Sequence, residues 1–516
     1  MEISPKAISA NFLAEPRRQS GIALVFYILK FLRVAFKSLW PLVLVYFVRS
    51  SGSDGSDSFV NTYLLPVILA VAGFQLIKSV IAYFRFFYYT ERGELIIEKG
   101  VFQKTRLNIP FERIQTINFN QNILHQILRV YEVKIDTAGS AGTELSIEAL
   151  DKETAEAIRN YVLKERAGII QEKAALEEGE EGAAVETKIE KDKLLFQRSE
   201  RELLKIGISE NHVQTFFIIL GFLFGILNFG DDLFDFDYWE IYDETLEMLG
   251  GIFTTVVISL SIVLLILTII VSLVRTVIRF HRLSVYESQS GFKIVAGLFN
   301  RKEQAAPFQK IQFMQWTVNP LQKRMDFRTI RLYQASSLAV AKAKALPIPG
   351  SSLSNLEAIL THIFPEHDRQ GYQIEHISPK IIGRRVLYFG GIPALLLLLQ
   401  AIFSGSIGLY VLAALWIPFI WLMARRYYER YEIYMNEKLM EIHSGLFGRK
   451  YTLLRLFKVQ AVELVQSPYQ RRKELANMEL HTAAGVVKIP YLPLSQAQEI
   501  RDYILYEVER EDREWM

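Results

Sequence analysis

The sequence predicts a multi-pass membrane protein in which three small β-barrels, each closed by a C-terminal helix, alternate with three transmembrane helix hairpins, six spans in all. Three observations predict it. Apolar runs long enough to cross a bilayer come in pairs, basic residues flank each pair, and the polar stretches after the pairs repeat one another in register. Half of the 516 residues are hydrophobic, and the mean hydropathy is +0.16. That apolar content gathers in runs separated by long charged stretches. The net charge is only +3 and says little about partners. Cysteine is absent, which excludes disulfides, thiolate metal sites and cysteine nucleophiles. The start, Met1 to Pro5, is not expected to be a signal peptide, since it lacks the short basic start followed by a small-residue cleavage site.

A helix crosses a bilayer with about 20 mainly apolar residues. Residues 249–274 carry no charge at all, and residues 212–230 none between their ends. Residues 386–403 and 406–423 form a close pair, and residues 59–76 are a fifth run. The first run, 21–48, carries Lys30, Arg33 and Lys37 at helical spacing on one face. Residues 20–37 are therefore read as a helix at or entering the interface, its basic side chains reaching for headgroups, with a short span over 37–48. One long tilted helix is the alternative.

Charge orients the spans, because Lys and Arg collect on the cytoplasmic side. Arg17 and Arg18 precede the first pair, with Arg85 and Arg92 after it. Arg275, Arg279 and Arg282 follow the second pair, and Arg384, Arg385, Arg425 and Arg426 bracket the third. The loop from Asp231 to Glu247 holds eight acidic residues and no Lys or Arg. Both termini and all three polar stretches are thus expected in the cytoplasm of a bacterial inner membrane.

The repeat emerges when the polar stretches are aligned on Gly100, Gly297 and Gly445. Each glycine is followed by an apolar pair, Val101-Phe102, Leu298-Phe299 and Leu446-Phe447. Four residues on stands a base, Lys104, Arg301 or Arg449. Further on come Pro110-Phe111 and Pro307-Phe308, where the third copy has Arg455-Leu456. Ile114-Gln115, Ile311-Gln312 and Val459-Gln460 follow, then Ala138, Ala335 and Ala483. The register holds without a gap for nearly forty residues.

Within a copy, alternating apolar and polar residues predict strands over 93–98, 102–109, 113–119, 132–137 and 144–147. Amphipathic helices over 152–164, 353–364 and 495–507 close the copies. An acidic linker is expected over 167–193, and an amphipathic helix on the membrane surface over 194–211. The domain boundaries are then 1–88 (interfacial segment and first hairpin), 89–166 (first β module), 167–193, 194–211, 212–279 (second hairpin), 280–366 (second module), 367–385, 386–425 (third hairpin) and 426–516 (third module).

The set Gly-Val-Phe-x-Lys, Ile-Pro-Phe-x-x-Ile-Gln and Asp136-Thr137-Ala138-Gly139 resembles the bacterial pleckstrin-homology domain, bPH2, once a domain of unknown function. Three such domains alternating with helix pairs resemble the YdbT-like membrane proteins. The resemblance implies a seven-strand barrel with a C-terminal helix per copy and no established enzymatic activity. It also implies a tie to envelope stress and resistance to antimicrobial peptides, with which some members of the family are associated.

Catalytic signatures are missing. There is no Gly-rich phosphate loop, no GxSxG and no HExxH, so no enzyme activity, cofactor or metal is expected. The histidines are read as scattered, and the acidic outer loop as solvated. The spans outside the first segment hold no mid-membrane charge, which argues against a transporter. The functional lead is basic. Lys104, Arg106, Arg301, Lys302, Arg449 and Lys450 follow the glycines; Lys323, Arg324, Arg471 and Arg472 form a second group in copies two and three. Barrels tethered to a membrane can present such residues to anionic headgroups. Two functions are expected: a scaffold organising a membrane or envelope-stress complex, or a binder of lipid headgroups or amphiphiles. The expected partners are membrane lipids and another membrane protein or a second copy, with no nucleic acid and no small-molecule substrate.

Overall fold

The computed structural model describes residues 15–51, 65–137, 145–178, 192–210, 212, 215–223, 225, 253–288, 290–335, 345–367 and 372–510. They form two compact units. The first is Met1–Lys191 with Lys293–Val295 and Phe299–Ala305, and the second is the remainder.

The first copy contributes β1 (Phe87–Glu91), β2 (Glu94–Lys99), β3 (Thr105–Pro110), β4 (Ile114–Gln121), β5 (Val130–Thr137) and β6 (Leu145–Asp151). The second contributes β7 (Lys193–Gln197), β8 (Ser284–Ser288), β9 (Gly291–Ala296), β10 (Arg301–Pro307), β11 (Ile311–Val318), β12 (Arg328–Gln334) and β13 (Leu346–Ser351). The third contributes β14 (Gln373–His376), β15 (Glu432–Met435), β16 (Leu439–Ser444), β17 (Arg449–Arg455), β18 (Val459–Val465), β19 (Leu475–Thr482) and β20 (Gly485–Pro493). In copy three, the strand before the helix pair, β14, pairs with the first strand after it, β15. In copy one this is reduced to a single bridge between Arg17 and Tyr88.

A copy is not one continuous sheet. In the first, β1-β2-β3 form one antiparallel sheet, while β4, β5 and β6 pair in sequence in another. In the third, β18-β19-β20 stand apart from β14 to β17. The break falls at the short 3-10 turns Phe111–Arg113, Phe308–Lys310 and Leu456–Lys458. Copies join instead through strand edges. In the second unit one seven-stranded sheet runs β13-β12-β11-β17-β16-β15-β14. It carries the second half of copy two into the first half of copy three. In the first unit β10 pairs with β4 in the same manner.

Each core lies under its own cap helix. In copy one, Ala155, Ile158 and Val162 of the helix Lys152–Glu178 pack on Leu95, Ile97, Phe111, Ile117 and Val133. In copy three, Ala497, Ile500 and Ile504 of Leu494–Arg510 take the same places against Ile442, Leu456, Met478 and Ile489.

Among the described residues three helices, Ile258–Phe280, Lys380–Ser404 and Ile407–Glu429, are long and apolar enough to cross a membrane. The third of the expected runs, 212–230, is helical over 215–223. The rest of it and the acidic loop 231–247 lie outside the described residues. The run expected at 59–76 is a helix over Leu65–Phe84.

Three expectations need correction. The N-terminal run is one unbroken helix, Ala23–Ser51. One face of its start packs on the first β module: Ala23 and Phe26 are buried against Val130 and Ala149, Phe26 stacks on His125 at 3.9 Å, and Lys30 reaches Glu148 at 3.4 Å. The first cap helix runs on to Glu178, so 167–178 is no linker. Its Ala, Glu, Lys and Leu are good helix formers, and Ile169 packs on the copy-one core. The segment 194–211 begins as strand β7, then turns into the helix Glu200–Ser209, capped by Ser199 and Glu202. Leu203 and Ile206 of that helix are buried within the second unit, against Phe253–Phe280 and β13 among others, while Leu204 and Ile208 stay exposed.

The repeated glycines sit at φ +125°, +114° and +117°. The tight connection between strands requires positive φ. These values lie beyond the left-handed helical well near +57° that asparagine enters. A Cβ at Gly445 would also lie 2.2 Å from the Gly448 carbonyl oxygen. Asparagine therefore offers no relief over alanine. Gly445→Ala and Gly445→Asn should each cost about 1–3 kcal/mol, read as thermal unfolding of the purified chain. A clearly milder asparagine variant contradicts this geometry.

Candidate membrane-facing site

The turn after each glycine is tied to the end of the preceding helix pair. Arg85 donates to the Val101 carbonyl oxygen, and Arg430 donates to that of Leu446 at 2.8 Å. In copy two the backbone makes the tie: Leu298 N–H donates to Ile278 at 2.9 Å and Gly297 N–H to His281 at 3.0 Å. Arg85, Arg282 and Arg430 stand at one repeat position, fifteen residues before the glycine. An aromatic residue projects from each turn; Phe102, Phe299 and Phe447 are 77%, 49% and 69% exposed. Phe102 lies beside Phe74 of the helix Leu65–Phe84, ring centroids 6.3 Å apart. An exposed aromatic at a helix end, next to a base, suits the boundary between hydrocarbon and headgroups.

The bases of these turns do not act copy by copy. In the ladder Arg449 lies opposite Val318 and Lys450 opposite Thr317. Asn319 follows and caps the short helix Pro320–Arg324, which carries Lys323, Arg324 and exposed Leu321. The first basic group of copy three therefore lies beside the second basic group of copy two. The first unit repeats this: Arg301 and Lys302 lie opposite Gln121 and Asn120. The helix Ile123–Ile127 that follows there is apolar, with Ile123, Leu124 and Ile127 exposed. Among the described residues Lys104 and Arg106 have no such neighbour from another copy; Arg106 reaches Glu91 at 3.3 Å. Arg471 and Arg472 are exposed on the helix Pro468–Arg472 beside Tyr469.

Side chains fix both junctions. In the first, Arg159 of the cap helix pairs with Glu303 and lies 4.4 Å over the Phe119 ring. Asn118 Oδ1 accepts from the Ala305 N–H at 3.0 Å. In the second, Trp316 and Tyr451 stack at 5.1 Å and 9°. Arg455, which replaces the proline of the other copies, donates to Glu366 and to the Ile363 carbonyl oxygen at the end of copy two's cap helix. The departure in the motif thus makes an inter-copy clamp.

Two features escaped the sequence reading. The first is the cap of the short helix: Asn122, Asn319 and Ser467 share one repeat position, and Gln322 and Gln470 complete capping boxes. The Asn/Ser-x-x-Gln spacing could have revealed it in copies two and three. The second is a carboxylate held by two of the histidines taken as scattered. Glu441, 3% exposed, accepts from His443 Nε2 at 2.8 Å and lies 3.2 Å from His367 Nε2. Burial opposes its charge, but the two histidines outweigh burial and hold its pKa at about 2. A cluster of Glu463, Glu479 and His481 is geometrically able to hold a cation, but Glu463 is exposed and Lys488 already pairs with Glu479.

Fold and site together define an integral membrane protein whose β modules are linked edge to edge at the ends of helix pairs. The chain belongs to the bacterial PH domain family: the family model matches three times, over residues 25–166, 222–367 and 390–508. It is similar to the UPF0699 transmembrane protein YdbT of Bacillus subtilis (strain 168), 22% identical over 473 residues, which are 90% of this chain and 92% of that protein. It is also similar to the UPF0699 transmembrane protein YdbS of the same organism, 32% identical over 102 residues, 20% of this chain and 63% of that protein.

The Glu441 pair sets a pH dependence. Its folded pKa lies below the usual 4.5, so its stabilisation is full above 4.5 and is lost as pH falls from there toward 2. A shift of that size corresponds to roughly 3 kcal/mol. Glu441→Gln should lower the unfolding temperature at pH 7 and flatten its fall between pH 4.5 and 2. An unchanged acid limb in the variant contradicts the role.

Proposed function

We propose that this protein is a non-enzymatic scaffold of the bacterial inner membrane. In this reading six spans hold three cytoplasmic PH modules in a fixed series, against which another membrane protein or a further module assembles. The observation that supports it most is that consecutive modules share backbone ladders, β4 with β10 and β11 with β17. Within each unit a backbone ladder fixes one copy against the edge of the next, as a flexible linker would not. Purification in a mild detergent should retain a membrane protein at a constant molar ratio, detected by mass spectrometry. If anionic lipid is retained and no protein is, a second reading gains: the mixed basic and aromatic turns engage headgroups. That reading is favoured by Phe447, Arg449 and Lys323 gathering at one junction.

Orientation has its own test. Basic residues flank every helix pair, so both termini and the modules belong on the cytoplasmic face. With no cysteine in the background, single cysteines at Ser53, Asp237 and Ser404 should each react with an impermeant maleimide in intact cells. Protection of all three until lysis contradicts the orientation.

A further inference from the structure

Two strand edges lack the neighbour that their equivalents have. Among the described residues, β3 lies at the edge of β1-β2-β3 and β18 at the edge of β18-β19-β20. Their equivalents are paired. β10 and β17 correspond to β3, and β4 and β11 correspond to β18. Both internal junctions follow one register. The residue four after a glycine lies opposite the residue twenty-one after the preceding copy's glycine: Arg301 opposite Gln121, and Arg449 opposite Val318. Applied to the free edges, the same rule sets Lys104 opposite Gln466, Thr105 opposite Val465 and Arg106 opposite Leu464.

We propose that a second copy of this chain docks its β3 on β18, head to tail and in that register. The inference rests on the scaffold reading and names what occupies the open edges. One chain carries both halves of the junction, so the contact is heterologous and can repeat from copy to copy.

Exposure marks the vacancy. In β11, paired on both sides, Gln312, Phe313 and Gln315 are 0%, 3% and 8% exposed. Their equivalents in β18, Gln460, Ala461 and Glu463, are all exposed. Val465 at the strand's end is 44% exposed. On the other side Thr105, Arg106 and Asn108 are exposed. A row of unpaired backbone groups with so little charge or proline to block it is a template for another strand. β18 holds one charged residue and no proline; β3 holds Arg106, and its one proline, Pro110, is the last residue of the strand.

The new junction would repeat the chemistry of the others. Lys104 and Phe102 would come beside the helix Pro468–Arg472, with Tyr469, Arg471 and Arg472, building the mixed basic and aromatic patch again. One position differs. Arg501 is the cap-helix equivalent of Arg159, as Ala155, Ile158 and Val162 match Ala497, Ile500 and Ile504. Arg159 meets Glu303, whereas Arg501 would meet Arg106. Each arginine enters already paired, Arg106 with Glu91 and Arg501 with Asp502. Arg106→Glu would restore the acidic partner.

The cysteine-free chain allows a direct test. Thr105→Cys and Val465→Cys are made in separate, differently tagged chains and co-expressed. Oxidation of membranes should give a dimer carrying both tags, absent when either chain is alone. The chain with both substitutions should give a ladder of multiples. The unmodified chain in mild detergent should show a native mass in multiples of 59.5 kDa of protein. Arg106→Glu should raise the cross-link yield roughly two- to fivefold. The proposal is overturned by a monomeric native mass with no mixed dimer, or by a cross-link confined to monomers. Cross-linking of β18 to a different membrane protein alone also overturns it, while leaving the scaffold reading standing. Loss of the cross-link on Arg106→Glu would overturn the register.

Discussion

The structure depends on how strand edges are satisfied. A backbone N–H or C=O removed from water must find a partner, and a strand at a sheet edge exposes a whole row of them. Here each copy divides after its third post-hairpin strand, at the 3-10 turn, and that division creates two edges per copy. The internal ones are closed by the neighbouring copy, β4 with β10 and β11 with β17. Because these ladders use main-chain atoms, they survive the sequence divergence between copies. The side chains then specialise: Arg159 with Glu303 at one junction, Trp316 on Tyr451 at the other.

This arrangement explains the placement of the basic residues. They follow the glycine because the strand that begins there lies against the preceding copy. The turn itself is held by Arg85 or Arg430, or by the backbone at Ile278, so the aromatic residue stays at the end of a helix pair. A site read copy by copy as two separate basic groups becomes, in the second unit, one patch from two copies. Arg455 shows the same logic, since it gives up the proline of the motif to grip Glu366 and Ile363.

Much of this was legible in the residues. The repeat register and the cap helices follow from spacing and apolar period alone. The inter-copy ladders were not legible, because alternation in 102–109 and 113–119 is the same whether the strands close one barrel or join two copies. Side-chain period reports which face is buried, not which backbone lies alongside. The helix to Glu178 was missed because acidic composition was read as solvation, although Ile169 gives it a buried contact. The burial of Ala23 and Phe26 was missed because Lys30 and Lys37 share their helix, and only the fold reveals that Glu148 waits for Lys30. Glu441 with His367 and His443 joins residues 74 apart in sequence, beyond the reach of any local pattern.

β17 is an interior strand shared by two copies, paired with β16 on one side and β11 on the other. Residue-resolved hydrogen exchange of Arg449–Arg455 measures this most directly. Along an antiparallel strand the bonded amides alternate between the two neighbours. Amides directed away from β16 should exchange as slowly as those directed toward it, because β11 binds them. Fast exchange at every second amide, with protection only on the β16 side, would show that β17 is an edge strand.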